Sequence, residues 1–355
     1  ASVTKHLSFG VTGSIPYELP YTFARRMSSL DHLTEGRIGW NIVTGYLDSA
    51  AKGAGKKKKE AHDTRYDIAH EYMQVVYRLW EESWEDDAVV RDRDSGVFTD
   101  PSKVHQIDHK GEYFELHGVH LCEPSPQRTP VLFQAGTSPK GQAFAGEHAE
   151  CVFIGGETPE IQAKSVKALR EQAVANGRSA NDLKIFSVIS IVVAPTDQEA
   201  EEKLADYVQY GSHEGALALL SGWTGFDFST LDPDATVEQT KSDAIQSVLE
   251  AHGFSTVREW STNLVVGGVG HVLAGSPKTI ADQMQNWFEV SGVDGFNLAR
   301  TVTPECYEDF VNLVVPELQQ RGVYKRSYQE GSFREKLFGK SGRLSKPHPA
   351  AEYRR

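Results

Sequence analysis

Apolar residues along this chain recur in two alternating rhythms. "HLSFGVT" (His6–Thr12) reads as a strand, and "RIGWNIVT" (Arg37–Thr44) as one apolar on both faces, which is the pattern of a strand in a parallel sheet. "PVLFQAG", "ECVFIGG" and "LKIFSVISIVVA" predict three more strands. The segments between them carry helical signals. Pro20 opens a helix that runs to Thr34, with Gly36 just beyond it. Tyr66, Ala69, Met73, Val76, Tyr77 and Trp80 recur at helical spacing and predict a helix over about His62–Trp80. Further helices are expected over Glu160–Asn176, Pro277–Val290 and Pro304–Arg321, with a strand at Asp294–Ala299.

Two insertions interrupt this alternation, at about 81–129, which has its own strand signals such as "KGEYFELHG", and at about 198–267. Strand-helix alternation with buried strands leaves a doubly wound sheet or a (β/α) barrel. The dinucleotide fingerprint of the first is missing. "GGVGHVLAGS" comes near its spacing but puts His271 where backbone must approach a pyrophosphate, and no acidic strand end follows. The expected fold is therefore α/β, a (β/α)8 TIM barrel, with one domain over 1–321 and a basic, irregular tail over 322–355. Six strand-helix units can be counted where such a barrel has eight, so the first two are expected to be lacking from this chain.

With 39% hydrophobic and 24% charged residues, the chain has an ordinary globular composition. A formal net charge of -12 argues against nucleic acid or an anionic membrane as partner, since both require clustered cations. The one basic run, Lys56–Lys59, reads as a solvated loop tip. Cys122, Cys151 and Cys306 have no paired spacing, which fits a reducing compartment. There is neither a membrane-length apolar run nor a signal-peptide core, and the expected location is cytoplasmic.

Barrel chemistry collects where strands end, here at Thr12, Asn41–Gly45, Gln134–Ser138 and Leu298–Arg300. These residues are small or polar. No carboxylate pair, Ser-His-Asp set or metal-ligating set stands among them, so the polypeptide is expected to supply a cavity and a cofactor the chemistry. In "FQAGTSPKGQAFAG" (Phe133–Gly146) a strand ends at Gly136, Ser138 can cap a helix, and Pro139 suits its first position. The turn is either a phosphate cradle or a plain helix start, and a near-copy at Ser276 competes with it. His62 and Tyr66 share a helix face, where they could hold the phosphate or ribityl chain of a flavin; a capping His and a core Tyr are the alternatives. Asn41 is an amide inside an apolar strand and must find partners.

"HLTEGRIGWNIVTGYLDSAAKG", "AHDTRYDIAHEYMQVVYRLWEESWEDDAVVRD", "GVFTDPSKVHQIDHKGEYFELHG", "EPSPQRTPVLFQAGTSPKGQAFA" and "GVDGFNLARTVTPECYEDFVNLVVPELQQRG" resemble the nitrilotriacetate and dibenzothiophene-sulfone monooxygenase branch of the bacterial-luciferase-like family. The resemblance spans nearly the whole chain. It implies an oxygenase that receives reduced FMN from a separate NADH-dependent flavin reductase, forms a flavin C4a-hydroperoxide with O2, and oxygenates a small sulfur-containing compound such as dimethyl sulfide. By motif, Thr12, His62, Tyr66 and Ser138 match the family's FMN contacts, with Asn41 and Gly136 as neighbours. "GWTGFDF" (Gly222–Phe228) would belong to a substrate lid, with Ser212 and His213 in its variable part, and outer helices such as Ile68–Trp80 would support a homodimer. Family members carry two more strand-helix units before the match begins. The alternative is therefore a non-catalytic flavin-binding or subunit-interaction protein of the same fold, and a deazaflavin-dependent hydride-transfer enzyme is a third reading.

Overall fold

The computed structural model describes residues 1–136, 138–156, 158–224, 227–230, 232, 234, 256–268 and 270–355. The chain forms two compact units: Ala1–Val152 with Leu169–Leu183 and Tyr328–Arg355, and Phe153–Ala168 with Lys184–Ser327.

In the first unit, β1 (Phe9–Ser14) leads into α1 (Pro20–Leu33), and β2 (Ile38–Val43) pairs with β1 in parallel, Thr12 opposite Asn41. The helix starts at Pro20, whose missing N–H costs nothing there. It stops before Glu35 and Gly36, both at positive φ. Its buried stripe of Phe23, Ala24, Met27 and Asp31 faces the sheet. Trp40 lies fully buried on β2, its ring centroid 4.4 Å from that of Phe23 and 5.9 Å from that of Tyr72. Its Nε1–H donates to the Gly13 carbonyl at 3.0 Å, so the large ring is buried with its one polar atom satisfied. A Cβ at Gly13 would come within 2.6 Å of the Phe23 ring, which is why glycine stands there.

The short helix α2 (Asp48–Gly53) precedes α3 (His62–Tyr77), whose Tyr66, Ala69, Tyr72, Met73 and Val76 join the same core. The helix predicted to reach Trp80 is α-helical only to Tyr77. Arg78–Glu82 is a π-helical turn that buries Leu79, Trp80 and Glu81. The insertion after it holds two antiparallel hairpins: β3 (Val89–Asp92) with β4 (Val97–Thr99), and β5 (Ile107–Lys110) with β6 (Glu115–Gly118). Glu71 fixes the second by accepting from His109 Nε2 and the backbone N–H groups of Glu112, Tyr113 and Phe114.

β7 (Val131–Gln134) extends the parallel sheet beside β2, α4 (Pro139–His148) follows, and β8 (Cys151–Ile154) pairs with β7. The C-terminal segment, read from sequence as irregular, carries helical turns at Phe333–Phe338 and Pro349–Glu352, and it buries Arg334, Leu344, Ala350 and Ala351 in this unit.

After α5 (Pro159–Ala175), β9 (Lys184–Val193) is paired in parallel with both β10 (His271–Gly275) and β11 (Gly295–Ala299) in the second unit. β10 was not among the expected strands. Val272 to Ala274 sit in register with Ser190 to Val192. The described residues thus hold seven parallel strands, and the count of six behind the inferred absence of two units is corrected. The second insertion contains α6 (Asp197–Gln209), α7 (His213–Thr224) and a helix at Val257–Gly267. Part of the expected lid, Gly225 and Phe226, and residues 235–255 of the insertion lie outside the described residues.

Candidate cofactor site

Ser138 begins α4 as expected, its Oγ accepting from the Gly141 N–H at 3.1 Å. It also meets a second helix start. His62 Nε2 lies 3.3 Å from Ser138 Oγ, so the first turns of α3 and α4 converge on one spot. The other ring nitrogen, Nδ1, is 2.8 Å from Asp63 Oδ1, which orients the imidazole. One turn on, Tyr66 points its hydroxyl into the same place. Burial pushes that phenol's pKa up, while hydrogen bonds with the Ser138, Gln134 and Thr44 side chains pull the other way. The phenol is therefore neutral at physiological pH and available as a donor.

Two glycines keep this spot open. A Cβ at Gly136 would lie 2.3 Å from Gln134 Nε2 and 2.9 Å from Tyr66 Oη, and one at Gly141 would lie 2.8 Å from Tyr66 Oη. Both helix N-termini carry partial positive charge. With His62, Tyr66, Gly136 and Ser138 together, the arrangement suits an anionic oxygen such as phosphate. Thr137, inside the same turn, lies outside the described residues.

Thr12 and Asn41 form a separate pair. They are register partners on β1 and β2, and Asn41 Nδ2–H donates to Thr12 Oγ1 at 3.1 Å. Asn41 pairs with Phe133 on β7, and the next residue, Ile42, pairs with Gln134, so Asn41 and Gln134 leave opposite faces of the sheet. Each has one buried oxygen, Asn41 Oδ1 and Gln134 Oε1, without a hydrogen-bond partner. The orphaned Asn41 acceptor at the end of β2 is what a polar cofactor edge would satisfy. The residues present therefore fit a flavin mononucleotide, with its phosphate at the converging helix starts. Gln134 was not among the expected contacts, although its signal, a buried amide in an apolar strand, is the same as that of Asn41.

A cavity of about 360 Å³ adjoins this end of the first unit, lined by Ile15, Tyr17, Thr44, Arg65, Ile68 and Phe114 among others. Thr44 belongs to both the cavity and the hydrogen-bonding set of Tyr66. Arg65 Nε is buried without a partner, and Lys56 and Lys59 of the lysine run stand along the wall. Lys59 is more than a solvated tip, since its Nζ donates to the Tyr46 carbonyl at 2.9 Å.

The competing cap at Ser276 is arranged differently. Its backbone N–H donates to Asp197 Oδ1 at 2.6 Å, and that bond, with the Ser276 and Thr279 side chains, holds Asp197 below the usual carboxylate range. An anion from the protein already occupies this helix start.

The profile of the luciferase-like monooxygenase family matches residues 1–295. A dimethyl-sulfide monooxygenase of Hyphomicrobium sulfonivorans is 49% identical over 361 residues, covering 100% of this chain and 75% of the relative. Its crystal structure aligns with a TM-score of 0.94 over 99% of this chain and 76% of its own. A long-chain alkane monooxygenase of Geobacillus thermodenitrificans is 50% identical over 357 residues, covering 100% of this chain and 78% of the relative. A riboflavin lyase solved with modified FMN and riboflavin aligns with a TM-score of 0.91 at 40% identity, covering 100% of this chain and 79% of that one. The α/β fold is of the luciferase-like TIM-barrel type, as the alternation of strands and helices predicts. No described helix is long and apolar enough to cross a membrane. The chain belongs to the luciferase-like monooxygenase family.

Proposed function

We propose that this chain is the oxygenase component of a two-component flavin-dependent monooxygenase, served by a separate NADH-dependent flavin reductase. The carrying observation is the cradle itself. Ser138, His62 and Tyr66 converge at the first turns of two helices, a donor set that suits the phosphate of a flavin. Reduced FMN, when bound, supplies the reaction with O2 from which one oxygen atom reaches the substrate.

The protein's tasks are binding, orientation and exclusion of water. Ser138 and the first turn of α4 would hold the phosphate, with His62 and the neutral Tyr66 hydroxyl as further donors. Asn41 would present its acceptor to an N–H or O–H group of the cofactor, while Gln134, on the opposite face, hydrogen-bonds with Tyr66. The buried Trp40, Phe23 and Tyr72 cluster keeps β1 and β2 rigid beneath, so the polar strand ends stay in place.

For the substrate, dimethyl sulfide is the first choice. The dimethyl-sulfide and long-chain alkane monooxygenases match this chain about equally, and the chemistry their named substrates share is apolar character rather than size. Ile15, Ile68 and Phe114 give the adjoining cavity apolar walls that suit it.

The test is a reconstitution with reduced FMN supplied by a flavin reductase, following oxygen consumption and the transfer of isotopically labelled oxygen into dimethyl sulfide and, separately, into alkanes. Labelled sulfoxide or alcohol supports the reading; peroxide release without a labelled product favours a non-catalytic flavin-binding protein. Ser138→Ala removes a hydrogen bond to a charged group, on the order of 1.5–3 kcal/mol, and should weaken FMN binding about ten- to a hundredfold. An unchanged FMN titration would remove the phosphate assignment.

A further inference from the structure

Away from the strand ends, the middle of α3 and the last turn of α4 bring three ligand-type side chains together. His70 Nδ1 lies 3.0 Å from His148 Nε2, Glu147 Oε2 lies 3.5 Å from His70 Nδ1, and Glu147 Oε1 lies 3.4 Å from His148 Nε2. Donors held at about 2.0–2.2 Å around a tetrahedral cation stand roughly 3.3–3.5 Å apart. The two Glu147 separations, one from each carboxylate oxygen, lie at that edge, and the nitrogen–nitrogen separation is slightly shorter. A hydrogen bond between the two imidazoles accounts for the first separation alone and gives no reason for a carboxylate equidistant from both nitrogens.

The surroundings have the features of a ligand site as well. Tyr77 Oη lies 3.2 Å from His148 Nδ1, the position of an outer partner that fixes tautomer and ring orientation. The His148 carbonyl is held by His348 Nε2 at 2.9 Å, and the His70 ring packs edge-on against Phe144 at 5.1 Å. The His148 side chain is 3% exposed, against 34% for His70 and 39% for Glu147, so the cluster opens to water on one side.

We propose that His70, Glu147 and His148 bind a divalent transition cation of the zinc class, with water in the fourth position. Two imidazoles and one carboxylate select against calcium and magnesium, which take oxygen ligands. The cation would clip α3 to the end of α4, the two helices whose first turns carry His62, Tyr66 and Ser138. The site stands independently of the flavin reading, because none of its ligands belongs to the cradle.

Cobalt(II) is the probe, added to the tag-free, chelator-treated chain, with equilibrium dialysis for stoichiometry and visible absorption for geometry. The expected result is one equivalent bound, the intense visible bands of a tetrahedral ion, and displacement by zinc. His70→Gln and Glu147→Ala change partly exposed positions; each should abolish the bands and weaken binding by roughly tenfold or more while the far-UV spectrum stays the same. Tyr77→Phe should weaken binding about tenfold with the bands retained. With 13 histidines in the sequence, the bands and their loss in these variants decide the matter rather than uptake alone. Absence of the bands, or bands unaltered in His70→Gln, overturns the proposal and leaves a hydrogen-bonded chain from Tyr77 to His70.

Discussion

Arg334 holds Glu150 with two parallel hydrogen bonds, Nε to Oε1 at 2.6 Å and Nη2 to Oε2 at 2.8 Å, and their side chains are 3% and 4% exposed. The pair ties the C-terminal segment to the start of β8. Neither charge is left short of partners: Arg334 also donates to the carbonyls of Thr129, Pro130 and Gly342, and Glu150 accepts from the Leu132 N–H. Burial acts to raise the Glu150 pKa, but the Arg334 charge and these hydrogen bonds outweigh it, and the carboxyl sits below its usual range.

Removing one member of such a pair strands the other. Arg334→Met is expected to destabilise the protein by about 3–5 kcal/mol, because a buried carboxylate loses its counter-charge. Arg334→Met combined with Glu150→Leu should recover most of that loss. Urea unfolding of the three proteins measures both, and a single variant within about 1 kcal/mol of the parent would show that the segment is held by other contacts.

Acid should weaken the first unit well before its carboxylates protonate. Burial lowers the pKa of His120 to about 4 and of His348 to about 3, and puts His148 well below its ordinary value. An unfolded histidine titrates near 6.5, so between about pH 6.5 and 4 the unfolded chain binds protons that the folded chain refuses, and stability falls as pH falls. Each histidine contributes up to about 1.4 kcal/mol per pH unit in that window. Glu150, with its pKa depressed, adds a loss as pH falls below about 4.5 and through its folded value. His120→Gln should flatten the upper part of the slope, as read from urea midpoints between pH 7 and 5; an unchanged slope would mean that His120 is charged in the folded protein.

Gly136→Ala separates the cradle from the fold. The new Cβ would meet Gln134 Nε2 at 2.3 Å, the movable end of a side chain, so the protein should fold with a loss of about 1–3 kcal/mol from overpacking. Gln134 must then turn away from Tyr66, and flavin affinity should fall by roughly tenfold or more. A fluorescence titration with FMN against the thermal midpoint distinguishes this from general damage, which would lower the midpoint without changing affinity in the folded fraction.

Local chemistry made parts of this molecule legible. Pro20, Ser138 and Pro277 mark helix starts through properties of a single residue, and all three helices begin where they predict. What escaped depends on partners distant in sequence. β10, which was not among the expected strands, pairs with Ile189 to Val193 of β9, a stretch far earlier in the chain. The π-turn at Arg78–Glu82 carries Trp80 against Phe23 and Trp40, both far away in sequence. The C-terminal segment looked irregular since its main anchor, Arg334, finds its carboxylate 184 residues away. At the site, the caps at Ser138 and Ser276 were both readable as helix starts, but the contact of Asp197 with the Ser276 N–H is one that no spacing rule connects.

Asn41 offers the sharpest separation of stability from function. Its Nδ2–H is satisfied by Thr12 at 3.1 Å, while Oδ1 is buried without a partner, a state that costs the isolated protein about 1–3 kcal/mol. Replacing the amide with a side chain of similar bulk, Asn41→Leu, removes that orphan and lets an apolar strand position be apolar, at the loss of one neutral hydrogen bond worth about 1 kcal/mol. The melting midpoint without flavin should therefore hold or rise. If Oδ1 is kept for a cofactor N–H or O–H, FMN affinity should fall about two- to tenfold in the same variant, the equivalent of roughly 0.5–1.5 kcal/mol. The two readouts then move in opposite directions, the mark of a residue retained for binding at the expense of the fold. A lowered midpoint with unchanged affinity would instead assign Asn41 to holding β1 and β2 together through Thr12.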